Sequence, residues 1–485
     1  METKPPRGSL GAGDIAFFVI SAAAPLMIIA GIAPYAILVG GIGAPSAYLI
    51  AGVILTVFAV GFTTMSRYVR NGGAFYAYVT KGLGRPAGVV AAVLALGSYN
   101  ALQIGMYGLL GSAAQATFES LFHVDLPWTV YAFAGVVIVW YAGYRSIEFG
   151  AKLLGALMIA ETGILVVLAV AILVKGGAHG LDLQSYAPSH VFTGGTSALL
   201  AIAFAAFMGF ESTVIYRGEA RDPKRTIPRA TYIAVGFLGI FYSFISWAVI
   251  QGFGSADVVA QAAKDPADLV FTEMDRYVGG WATDLMHLLI ITSVLAGLLA
   301  FHNAINRYTV AVAAEGMLPK RLVSLHPKTG SPYVAGGFQT VLAALVVAGF
   351  AIGGLDPYLN LLIWVNTPGV IGLVLLQVMV SIAVPTFFRK TPHTEGPLRT
   401  IVAPVLAAIG MITALYLTIT KIAALSGASD DVNHVLLATV PIVIVIGLVL
   451  AWWLKAKRPE AYAALGAEPD VFEQATQEEN DLVNS

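Results

Sequence analysis

The sequence contains no cysteine, and only 11% of its 485 residues are charged. The lack of cysteine excludes disulfide bonds and metal sites built on thiolates. A soluble protein carries roughly 25% charged residues. The low charge, with 58% hydrophobic residues and a mean hydropathy of +0.79, therefore indicates an integral membrane protein. The net charge of −1 gives no basic bias of the kind that favours nucleic acid binding.

Sequence motifs of common enzymes are also missing. The chain has no G-x-S-x-G, C-x-x-C, P-loop or H-E-x-x-H pattern, and the charged loops are too short for a nucleotide-binding domain. We therefore expect no enzyme activity, no cofactor and no metal site.

Long apolar runs fill most of the chain. A helix needs about 20 apolar residues to cross the hydrocarbon of a bilayer. Twelve stretches satisfy this, at 14–39, 44–68, 87–118, 127–145, 149–174, 196–217, 230–253, 281–313, 332–353, 358–386, 399–421 and 434–455. The long loop 254–280 favours a short surface helix.

The basic residues predict the orientation. Cytoplasmic loops are enriched in lysine and arginine, and with twelve spans 23 of the 27 basic residues fall on one side. We expect a multi-pass protein of the cell (inner) membrane, with a cytoplasmic N-tail at 1–13 and a cytoplasmic C-tail at 457–485. No cleavable signal pattern precedes the first span.

Two spans carry irregularities at similar depth. Pro25 lies about eleven residues into the first span, after the small residues Ser21 to Ala24, and Gly209 lies inside the sixth. Paired broken helices in two halves are typical of an inverted-repeat transporter, which predicts five-helix halves at 14–175 and 195–388. A proline in a membrane helix is alternatively a simple kink.

Glu211 follows Gly209 within the same apolar run. An ionisable group at bilayer depth costs at least ~2.5–3.5 kcal/mol and is tolerated mainly beside a cavity. This pattern favours a broken helix at a transport site. The alternative is a kinked helix with Glu211 just inside the cytoplasmic interface.

Three long blocks resemble a known family. They are SRYVRNGGAFYAYVTKGLGRPAG from Ser66, GFESTVIYRGEARDPKRTIPRA from Gly209, and NAINRYTVAVAAEGMLPKRLVSLHPKTGSP from Asn303. Over roughly residues 9–400 the chain is similar to the amino acid–polyamine–organocation (APC) permeases, in the bacterial amino acid permease branch with a LeuT-type fold. The resemblance implies an all-α fold of twelve transmembrane helices in a 5+5 inverted repeat, with helices 11 and 12 (397–456) peripheral.

The resemblance also implies a substrate site at the two breaks. Backbone amides there would bind the substrate carboxylate, carbonyls would meet its amino group, and aromatic rings would form a lid. Many relatives carry a glycine-rich G-S-G-type segment in helix 1, where this chain has alanines. The implied residues are Ser21, Ala22, Ala23 and Ala24 for the carboxylate, Phe207 and Met208 for the amino group, Gly209 and Glu211 at the second break, and Phe204, Phe207 and Phe210 for the lid.

Polar residues on helix 3 give further candidates. Asn100, Gln103 and Tyr107 recur at spacings of three and four and so share one helical face. They form a wall of the site or, alternatively, hydrogen bonds between helices. Trp364 on helix 10 is a further candidate with the same two interpretations.

Glu161 lies deep in the fifth span with no basic residue nearby in sequence. A carboxyl group in such a place can exchange a proton, whereas relatives often have a lysine near this depth. We therefore hypothesise that Glu161 or Glu211 carries a coupling proton. The alternative is a structural acid hydrogen-bonded to helix 8 near Thr292 and Ser293.

The sequence thus predicts a secondary transporter for amino acids or closely related small amines, working by alternating access and driven by proton symport. Its partners would be the substrate, a proton or alternatively sodium, and the lipid bilayer. The alternatives are a substrate/product exchanger for polyamines or other cationic amines, and a channel or sensor with the same helices.

Overall fold

The computed structural model describes residues 10–69, 74–145 and 151–466. Among these residues no strand is formed, and an isolated bridge joins Leu10 to Ala220. The predicted all-helical membrane fold is confirmed. The first-half helices are α1 (Ala12–Ala22), α2 (Pro25–Gly31), α3 (Ala33–Gly40), α4 (Ala44–Met65), α5 (Ala74–Leu83), α6 (Arg85–Phe122), α7 (Trp128–Tyr144) and α8 (Ala151–Lys175).

The chain then continues through twelve further α-helices. Two of them, α12 and α13, lie in the loop where the sequence favoured one surface helix. The helices are α9 (Pro188–Val191), α10 (Thr196–Ala206), α11 (Pro223–Phe253), α12 (Val258–Ala262), α13 (Leu269–Tyr277), α14 (Gly280–Ala314), α15 (Tyr333–Ile352), α16 (Ile363–Lys390), α17 (Ala403–Thr420), α18 (Ile422–Ser426), α19 (Asp430–Lys457) and α20 (Pro459–Ala464).

The number of helices that are long and apolar enough to cross a membrane differs from the twelve predicted spans. Eleven helical stretches in the described part of the chain are long and apolar enough to cross a membrane. Helix α7, at the fourth predicted span, has only 17 residues, and at 1.5 Å per residue it falls short of a hydrocarbon core of about 30 Å. The count of twelve therefore stays a prediction.

Glycines let the central helices approach closely. Gly52 of α4 and Gly239 of α11 face each other, because a Cβ atom built on Gly52 would lie 3.5 Å from the Gly239 Cα. The Phe207 ring packs over this crossing, 3.4 Å from both built Cβ positions. Small residues at helix crossings are the usual packing device in membranes, where apolar burial gives little driving force.

Helix α13 buries an acid at the centre of its apolar face. Glu273 is fully buried between Val270, Met274 and Tyr277, and its side chain packs against the backbone of Gly252. Neither carboxylate oxygen has a hydrogen-bond partner in the described part of the chain. Burial raises the pKa of Glu273 well above its ordinary value of 4.5, and the nearby Arg276 guanidinium only partly offsets this.

Packing of α13 should therefore weaken as pH rises. The folded form favours the protonated acid, so its contribution is complete below the ordinary pKa and is lost as pH rises through the folded pKa. We expect amide hydrogen exchange in residues 269–277, corrected for intrinsic rates, to speed up with pH in the wild type. Glu273→Gln should abolish this dependence, and the exposed Glu119→Gln should retain it. An unchanged pH dependence in Glu273→Gln would contradict the assignment.

Candidate functional site

The first predicted break is confirmed at residues 21–25. Helix α1 ends at Ala22 and α2 begins at Pro25, and Ala24 between them is in the left-handed region with φ of 48°. Pro25 lacks an N–H and stands at the first position of α2, where a proline is tolerated. A non-glycine residue in the left-handed region costs roughly 1–2 kcal/mol. The helix is therefore interrupted, not only bent.

The second predicted break is confirmed at residues 207–209. Helix α10 ends at Ala206, Gly209 has φ of 104°, and the chain continues as a 3₁₀ helix over Phe210–Gly218. Glycine takes up this conformation without the penalty of a Cβ atom. The sixth predicted span therefore consists of an α-helical half and a tighter 3₁₀ half.

The two broken helices run side by side in opposite directions. At one end the Leu10 N–H donates to the Glu219 carbonyl at 3.0 Å. At the other end, a Cβ atom built on Gly40 would overlap the Leu199 side chain. Along both segments, the breaks at Ala24 and Gly209 lie between these two contacts. Phe18 of α1 stacks on Tyr216 of the 3₁₀ helix at 5.9 Å between ring centroids, which holds these two segments together.

The Glu161 carboxylate of α8 lies at the start of α2. Its Oε2 atom accepts a 2.7 Å hydrogen bond from the Ser293 hydroxyl of α14, and the carboxylate lies close enough to the Leu26 N–H to interact with it. The Ser293 oxygen in turn accepts a 3.3 Å hydrogen bond from the Met27 N–H. Glu161 and Ser293 therefore lie beside the first two N–H groups of α2, which have no partner within their own helix.

The bond between Glu161 and Ser293 is the structural contact that the sequence offered as the alternative to a proton-carrying role for Glu161. The bond to Ser293 is the one raised from the sequence, but the contacts at Leu26 and Met27 were not expected. Their signal is Pro25: a proline at the first position of α2 makes residues 26 and 27 the first free N–H donors.

The alanine amides expected to bind a carboxylate are used inside α1. The Ala23 N–H donates to the Val19 and Ile20 carbonyls at 3.1 Å, and the Ala24 N–H donates to Ser21 at 3.2 Å. The Ser21 hydroxyl donates to the Phe17 carbonyl at 2.8 Å. In this arrangement the donors that bind an anion lie after the break, on α2, rather than before it.

Glu211 closes the break in the sixth span. One carboxylate oxygen accepts from the Gly209 N–H at 3.0 Å, and the other accepts from the Tyr99 hydroxyl of α6 at 2.5 Å. Glu211 is buried. The carboxylate therefore holds the turn at Gly209 and links it to α6. The sequence analysis did not name Tyr99 as a site residue, because the polar stripe that begins at Asn100 does not include it.

The three phenylalanines implied for the lid, Phe204, Phe207 and Phe210, are all buried and do not face lipid. Phe207 and its neighbour Met208 lie at the end of α10. The Phe207 ring contacts Tyr242 edge-on at 6.3 Å, and the Phe210 ring contacts the cluster of Phe58 and Phe62.

The polar stripe of α6 points to neighbouring helices. Gln103 donates to the Leu298 carbonyl at 3.2 Å and accepts from Gln339, which links α6 to α14 and α15. Asn100 donates to its own helix at Leu96. Tyr107 is buried against α7 at Gly135.

Trp364 bonds to the last residue of α18. Its indole N–H donates to the Ser426 carbonyl at 3.1 Å, and its ring packs against Phe350. These contacts involve neither break.

Two tyrosines near Phe207 were not singled out from the sequence. Tyr48 of α4 and Tyr242 of α11 meet edge-on at 5.6 Å, and Tyr242 is close enough to Glu161 to interact with it electrostatically. Both hydroxyls are buried, and neither has a hydrogen-bond partner within the described ranges. A buried polar atom without a partner costs about 1–3 kcal/mol. These hydroxyls are therefore available to a bound polar group.

An ion cluster joins the loops at the Leu10 end of the bundle. Arg67 lies 2.8 Å from Glu395, and Arg399 lies 3.1 Å from the other oxygen of the same carboxylate. Burial opposes ionisation of Glu395, but hydrogen bonds from Arg399 and Arg67 outweigh it and lower its pKa below 4.5. The cluster fixes the end of α4 against the segment before α17.

Taken together, the apolar spans and the two broken helices define a multi-pass membrane protein with a buried polar centre. The chain matches the amino acid permease family over residues 14–462 and belongs to that family, whose members are transporters and not enzymes.

Its relatives include transporters with different named substrates. An uncharacterized transporter of Mycobacterium tuberculosis (strain H37Rv) is 29% identical over 45% of this chain and 47% of its own length. The lysine-specific permease LysP of Lactococcus lactis is 25% identical over 63% of this chain and 62% of its own. The branched-chain amino acid permease BcaP of Bacillus subtilis is 25% identical over 46% and 45%. The chain spans about half the length of the curated relatives it matches.

The break at Gly209 can be tested by adding one methyl group. A Cβ atom there would meet no atom within 4 Å, so only the left-handed backbone opposes it. We expect Gly209→Ala to destabilise the protein by about 1–3 kcal/mol and to lower the thermal unfolding midpoint in detergent. Gly236→Ala, in regular α11 with equally open surroundings, is the control and should be neutral or slightly stabilising. Equal effects of both substitutions would show that the break carries no strain.

Proposed function

We propose that the protein is a secondary transporter that carries amino acids by alternating access and is driven by proton symport. The observation that carries the proposal is the Glu161 carboxylate at the start of α2, beside the Leu26 N–H and bonded to Ser293. The start of a helix favours an anion through its unpaired N–H groups and its dipole. The same donors suit the carboxylate of an amino acid.

A proton can link the two occupants of this position. Protonation of Glu161 removes its negative charge and weakens its hold on Leu26, because charge-assisted hydrogen bonds are roughly twice as strong as neutral ones. A substrate carboxylate then takes over the Leu26 and Met27 N–H groups. One proton on Glu161 accompanies one substrate carboxylate, so the charge at the break stays constant.

The other end of the substrate would meet the second break. The carbonyls around Phe207 and Met208 and the carboxylate of Glu211 are suited to an ammonium group, and the Tyr48 and Tyr242 hydroxyls are suited to a polar side chain. Ala22 to Ala24 would become donors only in a state where the last turn of α1 opens. The three buried phenylalanines would exclude water from the closed pocket.

The halves 14–175 and 195–388 are proposed as inverted repeats whose relative movement alternates access to the site. The presence of one broken span in each half supports this division. The distribution of basic residues supports insertion in the cell membrane with both termini cytoplasmic.

A second candidate is exchange of cationic amines. The buried Glu211 beside the break favours it. A carboxylate at this depth would attract the second ammonium group of a diamine. A lysine-specific permease and a branched-chain permease are both among the relatives, so the side chain transported is a matter for experiment.

We expect Glu161→Gln to abolish uptake driven by a pH gradient while it leaves substrate binding intact, because glutamine keeps the shape but cannot exchange a proton. Uptake would be measured in proteoliposomes with an imposed gradient, and binding by thermal shift. Glu119→Gln at the exposed end of α6 is the matched control and should transport like the wild type. Full gradient-driven uptake by Glu161→Gln would rule out proton carriage by this residue.

Matched ligand pairs separate the two candidates. A thermal-shift screen would compare amino acids with their decarboxylated amines, such as lysine with cadaverine and leucine with isoamylamine. Carboxylate recognition at α2 predicts stabilisation by the amino acids and not by the amines. Stabilisation by diamines alone would favour exchange of cationic amines. Passive conductance without saturable uptake would instead indicate a channel.

A further inference from the structure

An open apolar groove lies on the outside of the helix bundle between α1, α8 and α11. Its volume is about 500 Å³, and apolar side chains and glycines make up nearly all of its lining. Ala16 and Phe17 contribute from α1, Gly163 and Val166 from α8, and Phe237 from α11. All three helices belong to membrane-spanning stretches. The groove therefore faces the hydrocarbon chains of the bilayer.

Small residues make the groove concave. A Cβ atom built on Gly163 would meet nothing within 4 Å, and the same holds for Gly13. Bulkier neighbours form the rims, such as Ile159 with 65% of its surface exposed. An irregular void on a lipid-facing surface is filled best by a flexible chain.

A cation stands at one end of the groove. One face of α11 carries Arg229, Ile233 and Phe237, which are spaced four residues apart and therefore neighbour each other on the helix. The groove is lined by Ile233 and Phe237. Arg229 lies about 6 Å before Ile233 along the helix axis, at 1.5 Å per residue. Because Leu10 binds beside Ala220, the start of α1 lies near the start of α11. The exposed Arg229 is thus at the membrane surface.

Neighbouring charges leave Arg229 available. Arg225, one turn earlier, lies 3.7 Å from Asp222. The Asp14 carboxylate accepts from the Gly11 N–H at 2.8 Å. Within residues 10–69, 74–145 and 151–466, the Arg229 side chain makes no hydrogen bond or ion pair.

We propose that this groove binds an anionic phospholipid, with one acyl chain between α1, α8 and α11 and the phosphate on Arg229. The charge complementarity selects an anionic headgroup, and the apolar groove selects a chain over a free phosphate. The bound chain would contact α1, the half-helix before the first break, and the α8 turns on both sides of Glu161. The proposal depends on the membrane location and not on what is transported.

Native mass spectrometry of the detergent-purified protein would test the site. Dioleoyl phosphatidylglycerol and dioleoyl phosphatidylcholine would be titrated separately, and the dissociation constant of the first bound lipid compared. We expect a preference of about fivefold for phosphatidylglycerol, as one arginine near the surface provides. Arg229→Gln should abolish the preference, while Lys224→Gln, an exposed cation on another face of α11, should retain it.

Filling the groove tests the acyl chain separately. Gly163→Leu should weaken binding of both lipids, because its side chain occupies the open space. Gly236→Leu places the same side chain in equally open surroundings outside the groove and should bind like the wild type. Equal affinity of the wild type for both lipids would overturn the headgroup site. Unchanged binding in a folded Gly163→Leu variant would overturn the groove.

Discussion

Backbone N–H groups without partners at bilayer depth cost several kcal/mol each, since no water is present to receive them. The break before Pro25 creates two such groups at Leu26 and Met27. A carboxylate at the same depth is also costly unless donors surround it. Glu161 and Ser293 offer oxygen atoms to the N–H groups of α2, and Leu26 and Ser293 offer N–H and O–H groups to the carboxylate. The two unfavourable free energies therefore offset each other. The rest of the site depends on this pairing, because it lets the first span stay broken.

The second break is stabilised in a different way. Gly209 takes up the left-handed backbone without steric cost, and Glu211 reaches back two residues to bond its N–H. The Tyr99 hydroxyl binds the remaining oxygen. In the first span the acid comes from another helix, whereas in the second it comes from the break itself. Protonation of Glu161, or its displacement by a substrate carboxylate, would therefore loosen contacts between helices, whereas displacement of Glu211 would loosen a local turn.

Charges outside the spans fix the two ends of the bundle with opposite responses to pH. Glu395 is held ionised by two arginines, so its contribution is present above its ordinary pKa and is lost as pH falls through the lowered value. Glu273 favours the protonated form in the folded protein. Acid conditions therefore weaken the end near Leu10 and strengthen the packing of α13 at the opposite end.

The sequence by itself determined the class, the family resemblance and both breaks. These depend on local chemistry: apolar runs of spanning length, Pro25 without an N–H, and Gly209 with its freedom at positive φ. Only the tertiary structure decided which groups meet there. Gln103 on the polar stripe bonds to α14 and α15, Tyr99 reaches Glu211, and Glu161 meets Leu26 across 135 residues of chain. Helical spacing fixes the face of a side chain but not the neighbour of that face, because the neighbour depends on how distant helices pack.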